Sequence, residues 1–373
     1  MKFTVNASDF NAGMSLCGHA AVAHASRAIF ESILLETEET GLSLTATDGE
    51  MIIRTRVSAQ IAEEGVAMVP VRLFGDLLRK LKGEVTVSID RNFNVEVQAE
   101  SGCSNTCMQY IDASDFPDVP DVPAQKFQVT IPQNRLREAI TRVMFAVSQD
   151  ETRRILTGCL MEVTADEIRF IGLDGYRLAM QRISGEFAMP EGQDLVAAVP
   201  PGRLIGEFAR MLGDTDEPAT ITCSKTRLCV SFGSTECYAT LLTGEYIDYR
   251  QILPKNSTSR VILKKDEFVA AIERASLVAR EAKNNLIRLT MRDGEMLVTA
   301  NSDHSSAMER IVVQYPYEEF KIAFNARYLV DVVRNLDTND LKMEFKTNVS
   351  PAMITPVNGN SYLYLVLPVR VVN

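Results

Sequence analysis

The chain has 373 residues, 46% of them apolar and 24% charged, the composition of a soluble globular protein with room for two or three domains. No apolar run approaches the roughly 18 residues that span a bilayer. The start MKFTVNASDF alternates and lacks an apolar h-region, so no signal peptide is expected and the expected compartment is the cytosol. A net charge of −10 excludes a protein that coats nucleic acid over its whole surface, while allowing a local basic face.

In chain order, alternation at Phe3 and Val5 first predicts a strand, and helical spacing from Phe10 predicts a helix ending near Cys17. LSLTATDGEMIIR (42–54) reads as two strands joined at Asp48-Gly49, because Gly supplies a positive φ at no steric cost. VPVRLFGDLLRKL (69–81) reads as a second helix. A hairpin pattern comes next, with Val85, Val87 and Ile89, then Phe93, Val95 and Val97. The polar, Pro-bearing stretch 117–126 reads as a linker. The order then recurs: strand and helix in QVTIPQNRLREAITRVMFAV (128–147), turn in IRFIGLDGYRLAM (168–180), helix in VPPGRLIGEFARML (199–212), linker at 251–259. It recurs again in RVILKKDEFVAAIERASLVA (260–279), MLVTANSDHSSAM (296–308) and FNARYLVDVVRNL (324–336), with Leu341, Met343 and Phe345 in alternation after it.

The chain is therefore a divergent threefold repeat, aligned on Asp48, Asp174 and Asp303. The expected architecture is α+β, three repeated domains at 1–122, 123–252 and 253–373, each with two helices packed on one face of antiparallel sheet.

Charge repeats with it. Arg72 and Arg79, Arg203 and Arg210, and Arg327 and Arg334 are each seven apart, about 700° of helix and roughly 20° short of two turns, so each pair shares one face. Lys80 adds charge in the first copy; Arg137 and Arg142 add it on the first helix of the second; His24 and Arg27 come after the first helix of the first. A single pair would mean only a solvated face. Three equivalent pairs in an acidic protein suit a phosphate backbone, contacted without reading sequence.

The seven cysteines, Cys17, Cys103, Cys107, Cys159, Cys223, Cys229 and Cys237, read as reduced thiols. Cys103 and Cys107 form one CxxxC without a second half, so no metal site is expected. Catalysis is not expected either. Asp48, Asp174 and Asp303 lie on separate repeats and cannot converge on one ion; SDHSS (302–306) holds triad residue types only as sequence neighbours; no P-loop or GxGxxG occurs.

TATDGEM (45–51), ASDFPDV (113–119), DGYRL (174–178), DYRQILP (248–254), FNARYLVDVV (324–333) and LVLPVRV (365–371), with the opening MKFTV, resemble the bacterial DNA polymerase III beta subunit family over essentially the whole chain. The resemblance implies a clamp-type fold, a head-to-tail homodimer closed into a six-domain ring around duplex DNA, no cofactor and no chemistry. It implies that replicative and translesion DNA polymerases, the clamp loader and mismatch-repair proteins dock short peptides between the second and third domains.

The matching pocket positions are Leu156, Leu173, Gly175, Tyr176, Arg177, Leu178, Ile247, Gln251, Ile252, Asn325, Tyr328, Val349, Pro351, Leu365, Val366, Leu367, Pro368, Val369, Arg370 and Val371. Leu156, Leu178, Val349, Val366 and Leu367 are expected to bury two apolar anchors, with Arg177 and Asn325 orienting polar peptide groups. Beyond the helices, the resemblance adds Gln149, Arg153, Arg154, Lys283 and Asn284 toward DNA. It places Thr106 and Met108 against Val278 and Ala279 at subunit closure. Tyr176, Ile247, Gln251 and Pro351 replace a frequent His, Pro, Arg and Ser, which alters the pocket rim. A paralogue that keeps the peptide scaffold without a stable ring is the competing expectation.

Overall fold

The computed structural model describes residues 1–22, 25, 27–90, 94–100, 105–109, 112–282 and 285–370. His24, Lys283, Asn284 and Val371 of the expected sites, and Phe93 and Cys103, lie outside the described residues. The chain forms two compact units, residues 1–137 with 207–241 and residues 138–206 with 242–373.

In the first unit, the strand Lys2–Asn6 hands over to helix α1 (Ala7–Cys17) at Asn6, whose side chain accepts the Ser8 backbone N–H at 2.9 Å and so satisfies one orphan donor of the first turn. Phe10 is fully buried and meets Phe3 and Phe74 edge-on, at 5.7 and 5.5 Å between centroids, which ties α1 to helix α2 (Val71–Leu78). A five-stranded sheet runs in the order 60–63, 2–6, 84–89, 94–99, 105–109. An eight-stranded sheet runs 127–132, 218–223, 227–232, 235–240, 51–57, 41–47, 32–38, 66–70.

The second unit repeats the plan. Its eight-stranded sheet runs 196–198, 160–163, 167–173, 177–184, 362–366, 352–356, 340–345, 259–264, and a four-stranded sheet runs 306–312, 295–301, 286–292, 320–325. The remaining helices are α3 (Gln133–Met144), α4 (Gly202–Met211), α5 (Lys265–Glu281) and α6 (Ala326–Arg334). The expected leading apolar residues Phe10, Leu136 and Phe268 are all fully enclosed.

The sheets depart from the sequence expectation of antiparallel sheet contained within each repeat. The central repeat splits its strands: half continue the sheet of the first repeat through the 235–240 and 51–57 pair, half that of the third through 177–184 and 362–366. Alternation marks a strand and its faces but not its edge partner. Pairing across repeats covers strand edges that would otherwise stand open. A buried Thr55–Thr235 hydroxyl pair at 2.8 Å lies on the first seam.

Candidate peptide pocket and DNA-facing helices

The Asp174 turn is built by its own side chain, which accepts the backbone N–H groups of Tyr176 and Arg177 at 2.9 and 3.0 Å while Gly175 takes φ +89°. Asp48 holds Glu50 and Met51 in the same way, both at 2.9 Å, with Gly49 at φ +92°. The turn therefore belongs to the repeat, and the two copies differ in the side chains after it: Tyr176, Arg177 and Leu178 stand where the first repeat has Glu50, Met51 and Ile52.

Arg177 corrects the sequence expectation. Its side chain is only 7% exposed; Nε donates to Asp174 at 3.0 Å, Nη1 to Asp331 and Nη2 to the Phe145 carbonyl. The guanidinium lies between the rings of Phe145 and Tyr328, 5.1 and 4.9 Å from their centroids. All three nitrogens are engaged within the protein, so Arg177 clamps the second repeat to the third rather than orienting a peptide. Asn325 is committed too: its side-chain oxygen caps α6 by accepting the Arg327 N–H at 3.0 Å.

Leu156, Leu173, Leu178 and Leu365 share one buried cluster with Ile171 and Tyr249, and Val366 is fully buried. They form the floor and are not open anchors themselves. Of the expected positions, Tyr176, Ile247, Ile252, Val349, Leu367 and Val369 expose apolar side chains; Val349, Val369 and Arg370 line a cavity with Arg288, Thr290 and Lys321. Tyr176 is stacked on Tyr328 at 5.2 Å and 19°, and the Leu367 N–H donates to the Tyr176 carbonyl at 2.9 Å, which seats the C-terminal stretch beside the turn. Burial, and next the Asp174 charge, push the Tyr328 phenol above its usual range, so it stays neutral. Gln251 is held to Asp248 at 3.1 Å. Pro351 and Pro368 are half-buried and Arg370 is exposed.

Sequence reasoning missed Ile155, Leu242 and Tyr246, which pack against the floor, and Phe145 and Asp331, which hold Arg177. A signal for Tyr246 was present: SDFPD (114–118) and GEYID (244–248) are equivalent connectors, and Phe116 also packs against a buried cluster.

The tripled arginines divide by position. Arg72, Arg203 and Arg327 each occupy the second residue of their helix and are exposed. A cation in the first turn opposes the helix macrodipole, so local helix stability does not account for three of them. Among the later arginines, Arg79 lies against Asp76, Arg210 against Glu207, and Arg334 against Glu273 at 2.7 Å; pairing does not separate the two sets, since Arg203 also has a partner. Arg142 is bound to Asp337 at 2.6 Å, joining second and third repeats, and Arg137 pairs with Asp214 at 2.9 Å. Both are less available to phosphate than expected. Arg27, Lys80, Gln149, Arg153 and Arg154 are exposed, with Arg27 lying over the Phe30 ring.

At the expected subunit contacts, Thr106 and Met108 lie on the strand Asn105–Gln109, the outer strand of its sheet. Val278 is half-buried. Ala279 is fully enclosed in its own domain, so it has no surface to offer a second subunit. Exposed apolar side chains of this repeat are Leu277 on α5, at 63%, and Met308 and Val312 on the outer strand Ser306–Val312, at 72% and 82%.

Three tandem α+β repeats, each with two helices and with sheets shared between successive repeats, define the clamp class of fold. Models for the N-terminal, central and C-terminal domains of the DNA polymerase III beta subunit match residues 1–120, 130–248 and 250–370. The chain belongs to this family, the sliding clamps that confer processivity on DNA replication. It is 33% identical to the beta sliding clamp of Proteus mirabilis over 92% of each chain, and 28% identical to that of Synechocystis over 100% of each. Among solved structures, the DNA polymerase sliding clamp of Bacillus subtilis superposes with a TM-score of 0.93 at 26% identity, covering 100% of both chains. The beta subunit of Pseudomonas aeruginosa gives 0.92 at 27%, also over 100% of both.

Proposed function

We propose that this clamp works without chemistry of its own, as a cytoplasmic head-to-tail homodimer whose ring holds duplex DNA. Its domains are taken as 1–122, 123–252 and 253–373. The observation that carries the DNA-facing assignment is the exposed arginine in the first turn of α2, α4 and α6, repeated three times against the helix dipole. Contacts of this kind to phosphates are sequence-independent and interchangeable, so a one-step displacement exchanges like for like. Two features support ring closure: among the described residues the strands 105–109 and 306–312 each pair on one side only, and Leu277, Met308 and Val312 are exposed apolar side chains on the second of them and on α5. A heterologous contact between unlike edges, closed by rotation, gives a ring rather than a filament.

Replicative and translesion polymerases, the clamp loader and mismatch-repair proteins would dock at the surface of Tyr176, Ile247, Ile252, Val349 and Leu367 over the leucine floor. An exposed apolar patch rimmed by polar residues suits a peptide with two apolar anchors. The test is retention on circular DNA. The loaded protein should persist on a nicked circle and be lost once the circle is linearised, and Arg72→Glu, Arg203→Glu and Arg327→Glu together should abolish loading while the circular dichroism stays native. Retention on linear DNA equal to that on circles would exclude topological linkage. Unchanged loading of the triple variant would remove these arginines from the DNA-facing set.

A further inference from the structure

The Asp174 turn has a twin in the first unit, and the two sites correspond residue by residue. Ile52 pairs with Tyr238 as Leu178 pairs with Leu365. Phe116 and Tyr246 occupy the same place in equivalent connectors, each packed against a buried cluster. By this register Glu50 stands for Tyr176, Pro117 for Ile247 and Thr240 for Leu367. At this place the first unit holds a cavity of about 330 Å³, lined among others by Gly49, Glu50, Ile52, Pro117, Tyr238 and Thr240. That volume suffices for a few side chains of a ligand.

The chemistry differs from that of the pocket at the second junction. Where that pocket exposes Tyr176, Ile247 and Leu367, this one substitutes a carboxylate, a proline and a hydroxyl. Arg27, Arg227, Asp115 and Asp118 also line it. These four are exposed. The floor remains partly apolar: Ile29 and Tyr238 are buried, and Phe30 lies beneath the Arg27 guanidinium at 5.6 Å. Exposed charges of both signs above an apolar floor match a ligand with charges of both signs around a small apolar group.

We propose that this cavity is a second peptide-docking site, which takes a short extended segment of a partner protein carrying one basic and one acidic side chain around a small aliphatic residue. The peptide class rests on the reading of the Asp174 site as a peptide pocket; the charge preference rests on Arg27, Arg227, Asp115 and Asp118 alone. It gives the clamp two recognition surfaces of different chemistry built from one repeated frame, so that an apolar-anchored partner and a charged one need not compete.

Two capped hexapeptides test it on the full chain by calorimetric titration: Ala-Lys-Ala-Leu-Glu-Ala as the charged probe and Gln-Ala-Asp-Leu-Phe-Leu as the apolar one. The charged probe should bind one site per chain. Its affinity should fall at least tenfold in Arg227→Glu, and on raising salt from about 0.05 to 0.5 M, which shortens the screening length severalfold. Leu367→Asp should leave it unchanged. The apolar probe should show the reverse dependence. No saturable binding of the charged probe, or binding lost in Leu367→Asp and kept in Arg227→Glu, would overturn the second site. Failure of the apolar probe alone, with the charged probe still sensitive to Arg227→Glu, would count against the first pocket and leave the second standing.

Discussion

Replacing Arg177 by Met keeps the length of the side chain and deletes its charge. The wild-type side chain is 7% exposed and joins Asp174 and Asp331, whose side chains are 14% and 30% exposed. Removing one partner of a buried ion pair costs about 3–5 kcal/mol, because the other charge stays behind unpaired. Two features lower that figure here. Asp174 keeps its two backbone N–H donors, and the partial exposure of Asp331 lets water take over part of its solvation. The lost cation–π contacts with Phe145 and Tyr328 add back about 0.5–1 kcal/mol each, less whatever the methionine thioether recovers against the rings. The net expectation is about 3 kcal/mol. With a urea m-value of about 2–3 kcal/mol/M, this appears as a fall of about 1 M in the midpoint of the transition that reports the second unit. The chain has no Trp, so tyrosine fluorescence or circular dichroism serves as the signal. Asp331→Asn in the same background should recover about 1–2 kcal/mol of coupling in a double-mutant cycle. Under conditions where the variant is folded, its affinity for an apolar partner peptide should stay within about threefold of wild type. An unchanged midpoint together with a tenfold loss of peptide affinity would refute the clamp role, because it would mean that Arg177 contacts the peptide directly.

Truncation after Leu367 should remove partner-peptide binding while the dimer mass in native mass spectrometry is kept; native affinity after truncation would contradict the placement of the C-terminal stretch beside Tyr176. Burial pushes the thiols of Cys159 and Cys229 up to about 12 and that of Cys223 up to about 11. The thiolate is the reactive form, and a raised value leaves almost none of it at pH 8, so these cysteines should label only on unfolding. Cys107 is exposed and should label at once. Peptide mapping after alkylation separates them, and rapid native labelling of Cys159 would contradict its burial.

Much of this protein is legible locally. Alternation, helical spacing and the Asp-Gly turn announce helices α1 to α6 and most strands, because each depends on side chains a few residues apart. The repeat makes equivalent positions comparable, and so isolates Tyr176 and the tripled arginines without any structure. The roles of particular charges were not legible. Arg177 and Arg142 look like the other surface cations in sequence, yet their partners Asp331 and Asp337 lie more than a hundred and fifty residues away. Only the fold decides whether a cation meets solvent or a carboxylate. Ala279 is a parallel case, since its helix position permits either face and packing encloses it.

The sequence by itself determined the elements, their threefold order and the turn shared by Asp48 and Asp174, since these depend on short-range sterics and periodicity. The tertiary structure decided which strands join. It divided the central repeat between two sheets, and it set Arg177 between Phe145 and Tyr328 rather than in the open pocket. Strand pairing and ion pairing couple residues that are remote in the chain, and no local pattern encodes the partner.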